Sequence, residues 1–394
     1  MADLANKAIF ARSTTTYYLI FGSVSILSGL GLVMVLSASA VTSLNESGNS
    51  FAVVMRQALF LAISVVLAWL AMNLKVKLWV PISRLALIVS CIFLLLPQVP
   101  GLGKTVGGNT NWIGIGPFTL QPSEFAKLGI ILWTAMRVAI HEDRVAQGKS
   151  SNLVGMIVPG IGIAMLLILV GHDLGTAVVV AGIVGGLLFV SGLPMRAFAF
   201  LGGIAALAFT ALIITSSNRM NRFSAFFDPF SAQNYKGVGW QQAHSIMGLA
   251  SGGAFGTGLG SSKQKWGNLP EAHTDFIFAV IGEELGLLGT VAVIILFGIL
   301  ILGVFRIALR TPDTFERFAT AGIACWLAVQ VALNIGTVVS VMPVVGVTLP
   351  FISYGGSSLL ASFIAIGFVL GVLRRDPKVA ADLKERKAAR SARG

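Results

Sequence analysis

The sequence predicts an all-α integral membrane protein of about ten transmembrane helices, with both termini cytoplasmic and one large extracellular loop between helices seven and eight. Three observations carry this. Only 11% of the 394 residues are charged and 55% are hydrophobic, against about 25% charged in soluble domains. Ten stretches are long and apolar enough for a bilayer core, which takes about 20 residues of helix. Threaded from an inside N-terminus, those stretches leave 20 of the 28 Lys and Arg residues on one side, the asymmetry expected of cytoplasmic loops. The same composition excludes a soluble enzyme, a disordered chain and a fibrous repeat. The net charge of +12 then reads as topology and implies no nucleic-acid partner. Cys91 and Cys325 both lie in apolar runs, so neither a disulfide framework nor a metal cluster is indicated.

In chain order, residues 1–16 form a cytoplasmic N-terminus with Lys7 and Arg12, followed by a membrane domain over 17–373. Span one, 17–41, is too long for a signal-peptide core and lacks a small-residue cleavage pattern, so no cleavable signal is expected. Spans two and three, 52–72 and 78–97, flank an inner turn with Lys75 and Lys77. A Gly-rich outer loop, 98–119, leads to span four, 120–140, which opens Gln121-Pro122-Ser123-Glu124-Phe125-Ala126-Lys127. Pro122 suits a first helical turn. Glu124 and Lys127 share one helical face, either as an ion pair that lets the helix insert or as a polar site facing a cavity.

Spans five and six, 153–171 and 174–193, meet at His172-Asp173-Leu174-Gly175-Thr176. Asp173 can cap the helix that follows or help bind a cation or polar substrate. Span seven, 197–215, precedes the long outer loop 216–274. That loop has five basic residues, Arg219, Arg222, Lys236, Lys263 and Lys265, against the acids Asp228 and Glu271, and a run containing Gly256, Gly258 and Gly260. It is either a solvated loop or a phosphate-binding surface, since Arg and Lys are natural partners of phosphate oxygens.

Span eight, 275–304, begins with Asp275 directly after His273 and Thr274. As one straight helix it would run about 45 Å and place Asp275 near the outer interface. A carboxylate there can take a proton from an incoming hydroxyl, or simply sit well at a helix N-terminus. Glu283 and Glu284, deeper in the same span, read as structural or cavity-lining. Spans nine and ten are 315–340 and 349–373. The last opens Leu349-Pro350-Phe351-Ile352-Ser353-Tyr354-Gly355-Gly356-Ser357-Ser358, where small residues permit close packing or a helix break. The basic tail 374–394 is a surface helix drawn to anionic lipid or, more simply, a disordered end.

Four of these motifs together resemble the SEDS family of shape, elongation, division and sporulation proteins, which includes FtsW, RodA and SpoVE. They are Gly116-Pro-Phe-Thr-Leu-Gln-Pro-Ser-Glu-Phe-Ala-Lys127, Asp173-Leu-Gly-Thr176, Leu269-Pro-Glu-Ala-His-Thr-Asp-Phe-Ile-Phe-Ala279 with Gly282-Glu-Glu-Leu-Gly286, and Leu349 to Ser358. The wording from Pro270 to Asp275 and at Gly282 to Glu284 is more similar to the FtsW and SpoVE branch than to RodA. One departure is Asn111 before Trp112, where many relatives carry Arg, which leaves a phosphate contact there without its residue.

The resemblance implies a peptidoglycan glycosyltransferase that polymerises lipid II on the outer face of the bacterial cytoplasmic membrane, in septal synthesis during division. Its partners would be a class B penicillin-binding protein and other division proteins. It further implies Asp275 as the catalytic carboxylate, with Glu124 and Lys127 involved in function. Asp173, Arg219, Arg222, Lys263, Lys265, His273, Thr274, Ser357 and Ser358 complete the expected substrate site. The sequence establishes no cofactor; a divalent cation, Mg or Mn, is the one candidate, although the sequence contains no evident metal-ligand cluster. The rival functions are a lipid II flippase, an elongation-type polymerase and a non-catalytic division scaffold. A flippase needs a polar path at mid-depth, whereas the richest constellation here lies around the long loop and Asp275.

Overall fold

The computed structural model describes residues 13–106, 109–115, 118–215, 217–377 and 379–382. Lys7, Arg12, the Gly116-Pro117 start of the first motif and the tail beyond residue 382 lie outside the described residues.

Helices fall on all ten expected segments. They are α1 Ser13–Ser47, α2 Ala52–Asn73, α3 Val76–Leu95, α4 Pro122–Ala146, α5 Leu153–Val170, α6 Leu174–Val190, α7 Met195–Ile214, α10 Ile277–Arg310, α11 Thr314–Val338 and α12 Gly356–Arg375. Two shorter helices, α8 Ser217–Phe227 and α9 Trp240–Gly252, lie between α7 and α10. Eight of the ten long helices are long and apolar enough to cross a membrane. The other two differ for visible reasons. α6 has only 17 residues, and α4 carries Glu124, Lys127 and Arg137 along its length.

The centre of the bundle is α11 and α12, most of whose residues are buried. α12 lies tightly on α2: a Cβ at Gly367 would stand 2.3 Å from the Ala68 carbonyl oxygen, so only glycine allows this approach. α7 has no buried residue and presents apolar side chains to its surroundings.

Four expectations need correction. First, the fold is not purely helical. The loop 98–119 contains an antiparallel sheet of β1 Gly103–Val106, β2 Asn109–Ile115 and β3 Phe118–Leu120, in that order. Second, residues 216–274 are not an open loop, because α9 docks on the end of α11: Ser245 Oγ donates to the Val338 carbonyl at 2.7 Å.

Third, span eight is not one straight helix. α10 starts at Ile277, and Gly286 breaks it with φ 67° and ψ −164°, a region open mainly to glycine. The segment 253–258 crosses the break and repairs it. The N–H groups of Thr257 and Gly258 donate to the carbonyls of Glu283 and Glu284, and those of Leu287 and Leu288 donate to Gly253 and Ala254. Four backbone polar groups at the break are thus paired with this segment, as irregular chain at membrane depth requires. Fourth, span ten starts as a helix only at Gly356, and the chain from Leu349 to Gly355 is a non-helical turn.

Candidate active site

Asp275 lies in the turn 271–276, just ahead of α10, so its carboxylate is held by a bend rather than a helical turn. Gly346 lies opposite: a Cβ there would be 3.5 Å from Asp275 Oδ2. Burial raises the pKa of Asp275 to about 7, and the negative charges of Glu271, Glu124 and Asp173 push in the same direction. Three of the four motifs, far apart in sequence, thus supply acids to one site.

The turn is tied to the Leu349–Gly355 segment. Ser353 Oγ donates to the Thr274 carbonyl at 2.7 Å, and Gln57 Nε2 on α2 donates to the Ser353 carbonyl at 3.1 Å. His273 is half-buried, 5.5 Å from the Tyr354 ring. Burial lowers its pKa against the opposing pull of Glu271 and Glu46, which favours neutral imidazole at neutral pH. Thr274 Oγ1 donates to Glu271 Oε2 at 2.6 Å.

Asp173 caps α6. Its Oδ1 accepts the Thr176 N–H at 2.9 Å. Its Oδ2 accepts from Asn111 Nδ2 at 2.7 Å, Thr176 Oγ1 at 2.8 Å, and Gln121 Nε2 and Ser123 Oγ at 3.2 Å each. The carboxylate therefore joins β2, α4 and α6, with four protein donors on Oδ2 and one on Oδ1. Asn111, the residue that departs from the family pattern, is one of them.

Lys127 is buried and paired with Glu124 at 2.8 Å. Its Nζ also donates to Gln330 Oε1 at 2.8 Å and sits 5.1 Å above the Trp326 ring. Glu124 Oε2 has no hydrogen-bond partner among the described residues. The pair is thus an internal ion pair with one acceptor still open.

The remaining expected residues divide. Ser357 Oγ accepts the Gln121 N–H at 2.8 Å, and Ser358 Oγ accepts from Thr348 Oγ1 at 2.9 Å, so both serve as framework. Arg222 and Lys263 are exposed. Arg219 lies on α8, but its side chain is outside the described residues. Lys265 does not fit the expectation of a phosphate contact. It is buried, 3.5 Å from Glu284, and donates to Ser37 Oγ at 3.3 Å. Glu283 and Glu284 staple this segment to α10: Glu283 accepts from Ser262 Oγ at 2.6 Å and the Lys263 N–H at 2.9 Å, and Glu284 accepts the Ser262 N–H at 3.2 Å, while Ser37 Oγ on α1 donates to Glu284 at 2.6 Å.

Among the described residues no group of three His, Cys, Asp or Glu side chains is placed to hold a metal ion. Four donors crowd Asp173 Oδ2 and no third ligand stands beside it, so among the described residues this carboxylate is not part of a three-ligand cation site.

Sequence reading missed Gln330 and Asn334. Asn334 Nδ2 donates to the carbonyls of Asp275 at 2.8 Å and Val347 at 2.7 Å. The available signal was two amides four residues apart in the mostly apolar stretch of helix beyond Arg317, which puts both on one face.

Comparisons with known proteins show the family and the overall fold. The family model described as cell cycle protein, for FtsW, RodA and SpoVE, matches residues 17–377. Stage V sporulation protein E of Bacillus subtilis is 38% identical over 348 residues, covering 88% of this chain and 93% of that one. A probable peptidoglycan glycosyltransferase FtsW of Coxiella burnetii is 39% identical over 349 residues, covering 88% and 93%. Among solved structures, a chain from a peptidoglycan synthase complex that coordinates polymerization and crosslinking superposes with a TM-score of 0.72 at 30% identity, covering 90% of this chain and 96% of that one. The rod shape determining protein RodA of Thermus thermophilus gives 0.66 at 29%, covering 91% and 96%.

Proposed function

The chain belongs to the FtsW, RodA and SpoVE family of cell cycle proteins, a family of multi-pass membrane proteins, and from that membership we propose that it is a peptidoglycan glycosyltransferase polymerising lipid II. The observation that carries the reading is Asp275: a carboxylate held in a fixed turn, with its pKa raised to about 7 by burial and by three acidic neighbours. A base works best when its pKa lies near the working pH.

In this reading Asp275 takes the proton from the 4-hydroxyl of the acceptor GlcNAc. The oxygen attacks the anomeric carbon of the growing strand, a new glycosidic bond forms, and the bond to undecaprenyl pyrophosphate breaks with inversion. Arg219, Arg222 and Lys263 would offset the charge of the departing pyrophosphate. Lys265 leaves this list because its charge is matched by Glu284. Glu124 and Lys127 form the buried floor of the same site, with His273 and Thr274 beside the base. No step runs through a metal ion.

The Asp275 end of the bundle faces the outside in this reading, with both termini in the cytoplasm. The similarity to a chain of a peptidoglycan synthase complex supports a class B penicillin-binding protein as partner, and other division proteins would join them. Septal synthesis is preferred over elongation on the wording from Pro270 to Asp275 and at Gly282 to Glu284, while the FtsW, SpoVE and RodA similarities support the family as a whole.

The test is synthesis of glycan from labelled lipid II by purified protein in detergent, with and without the penicillin-binding partner. Detergent removes sidedness, so a flippase gives no polymer. Native protein is expected to polymerise, and Asp275→Ala to make none while remaining folded. Near-native synthesis by that variant would remove Asp275 from the chemistry.

A further inference from the structure

The turn that carries Asp275 is held at three consecutive carbonyls, each by a different donor. The His273 carbonyl accepts from the Tyr354 N–H at 2.9 Å, that of Thr274 from Ser353 Oγ at 2.7 Å, and that of Asp275 from Asn334 Nδ2 at 2.8 Å. The donors come from two elements that are distant in sequence, α11 and the turn before α12. Asn334 and Ser353 are both buried, 2% and 4% exposed, so water does not compete for these bonds.

We infer that Asn334 and Ser353 are positioning residues for Asp275, fixing the backbone from which its carboxylate reaches the substrate. The inference rests on the reading of Asp275 as the base. Asn334 uses both amide hydrogens, the second on the Val347 carbonyl at 2.7 Å. Turned over, the amide would set its oxygen against two carbonyl oxygens, so its orientation is forced. One turn earlier on the same face, Gln330 Nε2 holds the next carbonyl, Thr348, at 2.9 Å, while Gln330 Oε1 accepts from Lys127. Residues 347 and 348 are thus gripped by amides spaced four apart on α11. This grip sets Gly346 opposite the Asp275 carboxylate and ties the whole arrangement to the Glu124–Lys127 pair. Ser353 closes the other side: its hydroxyl gives its proton to Thr274 and accepts the Leu349 N–H at 2.8 Å.

A loop that merely needed closure would not require a separate donor for each of three successive carbonyls in a six-residue turn. A base does require it, because misplacing a reacting group by about 1 Å lowers the rate by as much as 100-fold.

The test compares Asn334→Ala, Ser353→Ala, Ser353→Thr and Asp275→Ala in the lipid II assay, with KM, kcat, the pH profile of kcat and melting temperature measured for each. Expected for both positioning alanine variants is a loss of kcat of about tenfold or more, KM within about threefold of native, a displaced acid limb and near-native melting. Ser353→Thr keeps the hydroxyl and should retain most of the rate. Native kcat in both alanine variants, with Asp275→Ala inactive, overturns the inference alone. So does a loss that tracks melting temperature with an unmoved acid limb and no rescue by threonine. If Asn334→Ala does not fold, the two Ser353 variants decide. Full activity of Asp275→Ala overturns the general-base reading and this inference with it.

Discussion

Asp275 has to be ionised to accept a proton, yet its surroundings oppose ionisation. Burial and the charges of Glu271, Glu124 and Asp173 all favour the protonated form and lift its pKa to about 7. As the proposed general base, it works only above that value, so kcat should rise as pH increases through about 7 and fall on the acid side. Glu271→Gln removes the largest of the charge contributions, and its acid limb should move to lower pH. An unmoved limb, or one moved to higher pH, would mean that Glu271 does not act on the base. The same shift has a consequence for stability. A group with a raised native pKa stabilises the fold while protonated and loses that contribution as pH rises through the native value. Asp275→Asn removes the ionisation altogether. It should melt above native protein at about pH 8, with the difference smaller at about pH 5 and closing only below about pH 4, the ordinary carboxylate value of the unfolded chain. Equal melting at both pH values would contradict the raised pKa.

Lys263 and Lys265 were one basic pair in the sequence, and the structure gives them opposite environments. Lys263 is exposed, with its N–H on Glu283. Lys265 is buried against Glu284. Lys263→Ala should therefore raise KM for lipid II and leave melting unchanged. Lys265→Met leaves Glu284 without its ion-pair partner, and removing one member of a buried pair costs about 3–5 kcal/mol. Adding Glu284→Gln should recover part of that loss, which thermal melts in detergent would measure. The contrast marks how far sequence reading reached. The ten helical segments were legible because twenty-residue apolar runs have few other solutions. Asp275 as a candidate and the Asp173 cap were legible because charged groups in apolar context are rare. The Gly286 break was not, since Glu283-Glu284-Leu285-Gly286 continues a helical pattern and the N–H groups that repair it come from Thr257 and Gly258. The small sheet at 103–120 was missed for a similar reason: its pairing is a property of three strands together, and its Gly-, Thr- and Asn-rich composition resembles any loop. Asn334 and Gln330 carried a signal of spacing, but no charge to draw attention to it.

Across the whole molecule, structured polar chain concentrates at one end. The sheet, α8, α9, the repaired break in α10 and the Asp275 turn share the end fed by the loops at 98–119 and 216–274, while the short connections 74–75 and 147–152 lie at the other ends of the same helices. This sorting matches the charge asymmetry, with most Lys and Arg on the side of the short connections. A transferase working on a lipid-anchored substrate needs this layout. The prenyl tail stays among the helices, the pyrophosphate reaches the interface, and the sugars meet a base fixed to the bundle rather than to a mobile lid. The layout makes a directional claim that is independent of activity. Lys149 and Lys263 are both exposed and lie at opposite ends of the bundle. Native Cys325 is buried and Cys91 is half-buried in the apolar α3, so the background for thiol labelling is low. Lys263→Cys should react with a membrane-impermeant maleimide in intact spheroplasts, and Lys149→Cys only after permeabilisation. The reverse pattern would put Asp275 in the cytoplasm, where a polymerase delivering glycan to the wall could not use it. Labelling of both positions from outside would rule out the ten-span threading itself.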